Sequence, residues 1–257
     1  MSASSLVTVL PAYNEGQRLH TFLQDWAANA RSCAEPRVTA VVVDDGSSDA
    51  AAQQHEQAVA AANAALAGNS AAHVVKYLHA PRNQGKGASI RWGWKEAGRN
   101  ADWLGFVDSD GALPAHEFWR LASMLPSAKA DVVCGSRIKM AGRTVERSMF
   151  RHIQGRAFAT AVDELFHLGL YDTQCGLKFF RAARVVPLLP ALQEPRWLLD
   201  VELLAHLHKA GAAMIEVPVD CDQHGASSLI FGVDSVKMFV GLLRLRNRLR
   251  ARDRSPS

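Results

Sequence analysis

No run in this chain approaches the roughly 18 apolar residues that a membrane-spanning helix needs, so none of its hydrophobic segments reads as a span. Cysteine is scarce: Cys33, Cys134, Cys175 and Cys221 stand far apart, with no C-x-x-C pair and no histidine at zinc-ligand spacing. A disulfide framework and a zinc site are therefore not expected, and a reducing compartment is. The opening Met1-Ser2-Ala3-Ser4-Ser5 lacks the basic flank of a signal peptide, which points to the cytosol. The ten histidines form no H-E-x-x-H, and neither G-x-S-x-G nor G-x-x-x-x-G-K-[ST] occurs. Zincin, serine-hydrolase and P-loop chemistry thus have no motif to stand on.

What is present is ample apolar material, 48% of 257 residues, enough for one enzyme-sized core. Short β-branched runs near 6–10, 38–43, 73–79, 102–107 and 130–135 alternate with helical stretches near 15–31, 48–67, 86–98 and 115–125. That alternation predicts an α/β fold with a mostly parallel central sheet flanked by helices. The second half is less regular, with helices expected near 146–168 and 198–210 and strands near 177–180 and 213–219. No repeat or long linker marks a boundary; we divide the chain into a Rossmann-like first half (1–112), a second half (113–230) and a basic amphipathic helix and tail (231–257).

Ligands of such sheets sit at the carboxyl ends of the strands, and there this sequence places its unusual residues. Asp108-Ser109-Asp110 follows an apolar strand and offers two hard oxygen donors for a divalent cation on a diphosphate. The tripeptide is common, and solvated turn carboxylates fit it equally. Asp44-Asp45-Gly46-Ser47 follows strand two; ordinary helix capping explains its serines, whereas Asp44 is also suited to accept a nucleobase N–H. Pro11-Ala12-Tyr13-Asn14-Glu15 follows strand one and combines an apolar surface, an aromatic ring and an acid suited to ribose hydroxyls. In Gln84-Gly85-Lys86-Gly87, glycines and a lysine ahead of a helix favour phosphate oxygens, or form a solvated loop. Arg137, with Arg143, Arg147 and Arg151 beyond it, can hold a second anion or lie on the surface. Asp200 and Glu202 do not share one helix face: one is expected to cap the helix and the other to point into the site.

In this order and spacing the motifs resemble those of the family 2 inverting glycosyltransferases of GT-A fold, nearest the dolichyl-phosphate β-glucosyltransferase branch and its bacterial relatives. Gly135-Ser136-Arg137, Asp172-Thr173-Gln174-Cys175-Gly176 and Arg196-Trp197 through Glu202 complete the match, which spans residues 6 to 220. The resemblance implies that Pro11, Tyr13, Glu15, Asp44 and Asp45 line the nucleoside pocket and that Lys86 meets the diphosphate. Asp108 and Asp110 would hold Mg²⁺ or Mn²⁺, and Arg137, Arg147 and Arg151 the acceptor phosphate. Ala112 stands where the mannosyl relatives carry a metal-contacting glutamine, which favours a UDP-hexose over GDP-mannose. After Asp222, Gly225-Ala226-Ser227-Ser228 departs from the Gly-Ser-Lys of the glucosyl branch, in which the eukaryotic relatives also carry an N-terminal span.

The expected reaction is metal-dependent transfer of a hexose, glucose by the resemblance, from a UDP-sugar to polyprenyl phosphate. A phosphate acceptor is already anionic near neutral pH, with a second pKa of about 6, and needs no strong base. Transfer to a sugar or glycolipid hydroxyl is the rival, with Asp200 or Glu202 as its base. A sugar-nucleotide pyrophosphorylase would place its glycine-rich loop after strand one, where Pro11 to Glu15 stand, and a non-catalytic nucleotide binder would have no use for the metal and phosphate residues.

The net charge of +4 is unevenly spread: from Arg244 on, six arginines face one acid, Asp253, giving +5 and leaving −1 for the rest. Val236, Phe239, Val240, Leu242 and Leu243 form a stripe at helical spacing just ahead of them, which Leu245 and Leu249 continue among the arginines. The segment reads as a solvated tail or as a helix for an anionic membrane surface, peripheral on its cytosolic face. Without aromatic interleaving, nucleic acid is not expected as a partner.

Overall fold

The computed structural model describes residues 4–68, 72–146, 149–222 and 233–254. Its first half alternates β1 (Ser5–Ala12), α1 (Gln17–Asn29), β2 (Arg37–Asp44), α2 (Asp49–Leu66), β3 (Val74–His79), α3 (Lys86–Ala97), β4 (Trp103–Val107), α4 (Ala115–Met124) and β5 (Val132–Ser136). The remainder comprises β6 (Val145–Glu146), α5 (Met149–Phe166), β7 (Leu177–Arg181), α6 (Ala182–Val185), α7 (Leu199–Lys209), β8 (Met214–Pro218), β9 (Cys221–Asp222) and α8 (Val233–Arg254). Helix α1 begins after Asn14 and Gly16, both at φ 53°, which place a sharp bend between strand and helix.

Seven strands form one sheet in the order β3-β2-β1-β4-β7-β5-β8, with β6 and β9 as a separate pair. Strands β1 and β4 are buried along nearly their whole length because helices cover both faces. Strand β3 alternates exposed and buried positions, as suits an edge. The sheet is mostly parallel, as expected, but β7 runs antiparallel between β4 and β5. A strand from beyond residue 112 therefore lies inside the sheet, and the two halves of the chain share one continuous scaffold.

Two apolar layers sandwich this sheet. One holds Trp26, Phe118 and Trp119 from α1 and α4; the Trp119 indole N–H donates to the Trp26 carbonyl at 2.7 Å. Truncating either ring to alanine costs about 3–5 kcal/mol in a core of this kind. The other layer packs Trp94, Phe158, Leu203, Leu242 and Leu245 from α3, α5, α7 and α8. Helix α8 is accordingly a packed element on one face, with Phe158 and Phe239 edge to face at 6.2 Å. Its exposed face carries Phe239, Val240, Leu243, Arg244 and Arg250.

Candidate functional site

The loops after β1 and β2 are latched to each other. The Asn14 amide donates to Ser47 Oγ at 2.9 Å and the Ser48 amide to Asn14 Oδ1 at 3.0 Å. His55 on α2 bridges them: its Nδ1 meets Asp44 Oδ2 at 3.1 Å and its Nε2 accepts from the Gly16 amide at 3.3 Å. Asp44 has no exposed surface; Ser47 N–H donates to Oδ1 at 2.9 Å and the Tyr77 hydroxyl to Oδ2 at 2.8 Å. Burial alone would raise Asp44, but the bonds from Ser47, Tyr77 and His55 outweigh it and hold the carboxyl below the usual aspartate value. Both Asp44 oxygens are thus engaged within the turn, and a nucleobase would have to share this carboxylate with His55 and Tyr77. Asp45, 3% exposed, accepts the amides of Gln84 and Gly85 at 2.8 and 2.7 Å, fixing the loop that precedes α3 rather than facing a ligand. Gly85 adopts φ 101°, and a Cβ there would lie 2.5 Å from the Pro195 carbonyl, so the loop closes tightly on the segment before α7. Pro11, Tyr13 and Glu15 remain at the mouth: the Pro11 carbonyl accepts from Ser109 Oγ at 2.7 Å, Tyr13 is half exposed, and Glu15 pairs with Arg18 at 2.7 Å.

The clamp on the 84–85 amides delivers Lys86 to the end of β4, where its Nζ lies 2.6 Å from Asp108 Oδ1. Its ammonium rests over Phe106 at 5.2 Å and Trp197 at 5.6 Å from the ring centroids. Burial would lower Lys86, but Asp108 and Asp200 outweigh it and leave the ammonium above its ordinary value. Behind Asp108, its amide donates to the Gly176 carbonyl at 2.9 Å. A Cβ on Gly176 would sit 2.1 Å from Asp108 Oδ2, so only glycine leaves room for this carboxylate. Asp110 is exposed at the rim, with Oδ1 accepting from the Ala112 amide at 3.0 Å. Loss of solvent and the nearby Asp108 charge raise its pKa. Loss of solvent likewise raises Glu15, with Asp110 and Asp108 adding to it against Arg18. A cavity of about 280 Å³ opens beside Asp110, floored by Phe22 and Leu113 and rimmed by Arg18 and Thr21.

A second ion pair lies beneath the first. Lys178, in the middle of β7, is fully buried; its Nζ donates to the Cys175 carbonyl at 2.6 Å and to Asp200 Oδ2 at 3.1 Å. It shares the Phe106 ring with Lys86, lying 5.4 Å from its centroid. Neither acid of α7 caps that helix, whose first cap residue is Leu198. Glu202, expected as a catalytic candidate, is fully buried and points elsewhere: it accepts from the amides of Gln193 and Glu194 and from Arg248 Nη2 at 2.7 Å. Both its oxygens join α7 to the 193–194 turn and α8.

The arginine cluster is divided as well. Arg137 grips Asp172 through Nε at 2.7 Å and Nη2 at 2.8 Å, so a phosphate would share its guanidinium with that carboxylate. Asp172 would be raised by burial, yet Arg137 holds it well below the usual range. Arg143 turns to Glu117 at 2.7 Å. Arg147 lies outside the described residues, and Arg151 belongs to α5 with only its backbone described. Arg156, which no motif singled out, stacks on Tyr171 at 3.9 Å and borders a small cavity with Arg137, Thr173 and Gln174. Lys178 was also missed, and Gly176 entered only as the end of the matching run Asp172 to Gly176; a lone lysine inside the apolar run Leu177 to Phe180 was the available signal for the former.

The donor set fits a divalent cation. Asp108 and Asp110 present carboxylate oxygens beside Glu15, the Lys86 ammonium already sits on Asp108 as a stand-in cation, and Gly176 leaves the carboxylate its space. Among the described residues a second acidic group, His116, Glu117 and Asp220, has ligand atoms within 4.8 Å of one another. Arg120 and Arg143 already neutralise Glu117, making that group an ion-pair network. No helix of the described residues is long and apolar enough to cross a membrane.

A family model, Glycosyl transferase family 2, matches residues 8–185. The dolichyl-phosphate β-glucosyltransferase of Drosophila melanogaster is 34% identical, the alignment covering 87% of this chain and 69% of that protein. One from Trichomonas vaginalis is 30% identical over 95% of this chain and 71% of its own length. Among solved structures, glucosyl-3-phosphoglycerate synthase from Mycobacterium tuberculosis, in complex with Mn²⁺, UDP and glucosyl-3-phosphoglycerate, superposes with a TM-score of 0.66. It is 16% identical, with 95% of this chain and 80% of that one covered, which speaks for the fold. With its β1-to-β4 nucleotide-type loops, the aspartate pair at the end of β4 and these relatives, the chain belongs to the family 2 glycosyltransferases of GT-A fold, in the branch of the dolichyl-phosphate β-glucosyltransferases.

Proposed function

We propose that this glycosyltransferase moves glucose from UDP-glucose to a polyprenyl phosphate, with Mg²⁺ or Mn²⁺ held by Asp108 and Asp110. The names of the relatives support the sugar and the lipid phosphate; Mn²⁺ and UDP in the structural neighbour are consistent with the cation and donor. A bound divalent cation would neutralise charge developing on the departing nucleoside diphosphate. Pro11, Tyr13 and Glu15 border the nucleoside, and Lys86 meets the diphosphate. The acceptor phosphate is assigned to the arginine-rich segment 137–156, where Arg137 and Arg156 border one cavity.

The observation that carries a phosphate acceptor over a hydroxyl is the engagement of both candidate bases. Asp200 is bound to the buried Lys178, and Glu202 accepts from two amides and Arg248. A hydroxyl needs a proton acceptor; a phosphate brings its own negative charge. Purified protein given UDP-glucose, Mn²⁺ and a polyprenyl phosphate is expected to form lipid-linked hexose detectable by mass, and Asp110→Asn to lose at least about 100-fold of the rate. No lipid product from the wild type, or equal rates in both proteins, rejects the reading.

The outer face of α8 is proposed to rest on an anionic membrane at its cytosolic side, with Phe239, Val240 and Leu243 entering the interface and Arg244 and Arg250 meeting headgroups. Deleting the helix after Leu243 would also remove the buried Leu245 and the Arg248 bridge to Glu202, so surface substitutions are the cleaner probe. Leu243→Ser with Arg244→Glu and Arg250→Glu is expected to weaken binding to anionic vesicles by about tenfold or more, from roughly 1 kcal/mol per arginine near the surface. The melting temperature is expected to stay put. Unchanged vesicle binding overturns the membrane assignment.

A further inference from the structure

We infer that Lys86 is the resident counter-ion of the divalent-cation position, held on Asp108 until a diphosphate draws it away. Cation and nucleotide therefore assist each other's binding. The inference rests on the metal and nucleotide reading proposed above, and it goes beyond that reading by assigning Lys86 a role toward the cation as well as the diphosphate.

Three observations combine. The ammonium lies 2.6 Å from Oδ1 of Asp108, one of the two carboxylates assigned to the cation, and its side chain is only 14% exposed. Its backbone is fixed at the preceding turn by Asp45, which holds the Gln84 and Gly85 amides, so the ammonium moves only as far as its own stem reaches. The nearby Asp200 offers no ready alternative, because the buried Lys178 already binds its Oδ2 at 3.1 Å. Without a phosphate, Lys86 and a divalent cation compete for Asp108, and two cations on one carboxylate repel each other. A diphosphate removes the conflict, since its oxygens accept the ammonium and also contribute ligands to the cation. By linkage, whatever factor the nucleotide adds to cation affinity, the cation adds to nucleotide affinity.

The test is Mn²⁺ binding, read from the electron paramagnetic resonance signal of free Mn²⁺ with and without UDP, each titration referred to a protein-free one at the same UDP concentration. Wild type is expected to bind Mn²⁺ at least about tenfold more tightly with UDP present. Lys86→Met is expected to bind Mn²⁺ alone several-fold more tightly than wild type while binding UDP more weakly. Lys86→Arg, which keeps the charge, is expected to retain weak Mn²⁺ binding in the absence of UDP, and Asp108→Asn to bind little Mn²⁺ in either condition. Circular dichroism melts of all four proteins establish that they are folded. If Mn²⁺ binds wild type with UDP but Lys86→Met gains nothing for Mn²⁺ alone, the counter-ion role falls and the metal reading stands. If no protein binds Mn²⁺ even with UDP, both fall together.

Discussion

Gly176→Ala is expected to lower glucosyl transfer by about two orders of magnitude while the protein remains folded, because displacements near 1 Å at a reacting centre cost on that scale. The added Cβ would lie 2.1 Å from Asp108 Oδ2 and 2.4 Å from its Cγ. Gly176 immediately precedes β7, and its carbonyl accepts from the Asp108 amide, so the backbone there cannot back away without disturbing the β4–β7 ladder. The side chain of Asp108 must turn instead, leaving Lys86 and the cation position. Steady-state transfer and Mn²⁺ binding in the presence of UDP should fall in parallel, with a melting temperature near that of wild type. Activity within about threefold of wild type would show that Asp108 tolerates the turn and is not the group that fixes the cation.

The largest effect on stability is expected from Lys178→Met. It leaves Asp200, 4% exposed, without its counter-ion, and breaking one side of a buried pair costs about 3–5 kcal/mol. For a chain of this size that corresponds to a melting temperature lower by roughly 10 °C. Lys178→Met with Asp200→Leu removes both charges and is expected to recover most of the loss, since apolar replacement of a whole buried pair is commonly neutral or better. Denaturant unfolding of the two variants provides the measurement; a loss below about 1 kcal/mol in the single variant would mean that water or another group satisfies Asp200. The same arithmetic applies to Asp200→Asn and Arg137→Ala, each of which breaks a pair with little exposure. Loss of activity in either is therefore not a clean sign of a base or of a phosphate contact, and unfolding must be measured beside transfer.

The sequence by itself determined the alternation of strands and helices, because burial on both sheet faces demands continuous β-branched runs and the helices follow 3.6-residue periodicity. It also determined that the polar motifs after β1, β2 and β4 gather at one sheet edge, since parallel connectivity brings the carboxyl ends of those strands together. The tertiary structure alone decided which acids stay accessible there. Asp44 and Asp108 both end strands in the sequence, yet Asp44 is closed in by His55 and Tyr77 from α2 and β3, whereas Asp108 is left 30% exposed beside Lys86. Likewise Asp200 and Glu202 differ by two positions, one meeting a lysine on β7 and the other an arginine on α8. The insertion of β7 between β4 and β5 places Gly176 behind Asp108 and Lys178 beneath it. That pairing joins residues about 70 positions apart, and hydrophobic periodicity, which reports the faces of an element and not its neighbours, carries no record of it.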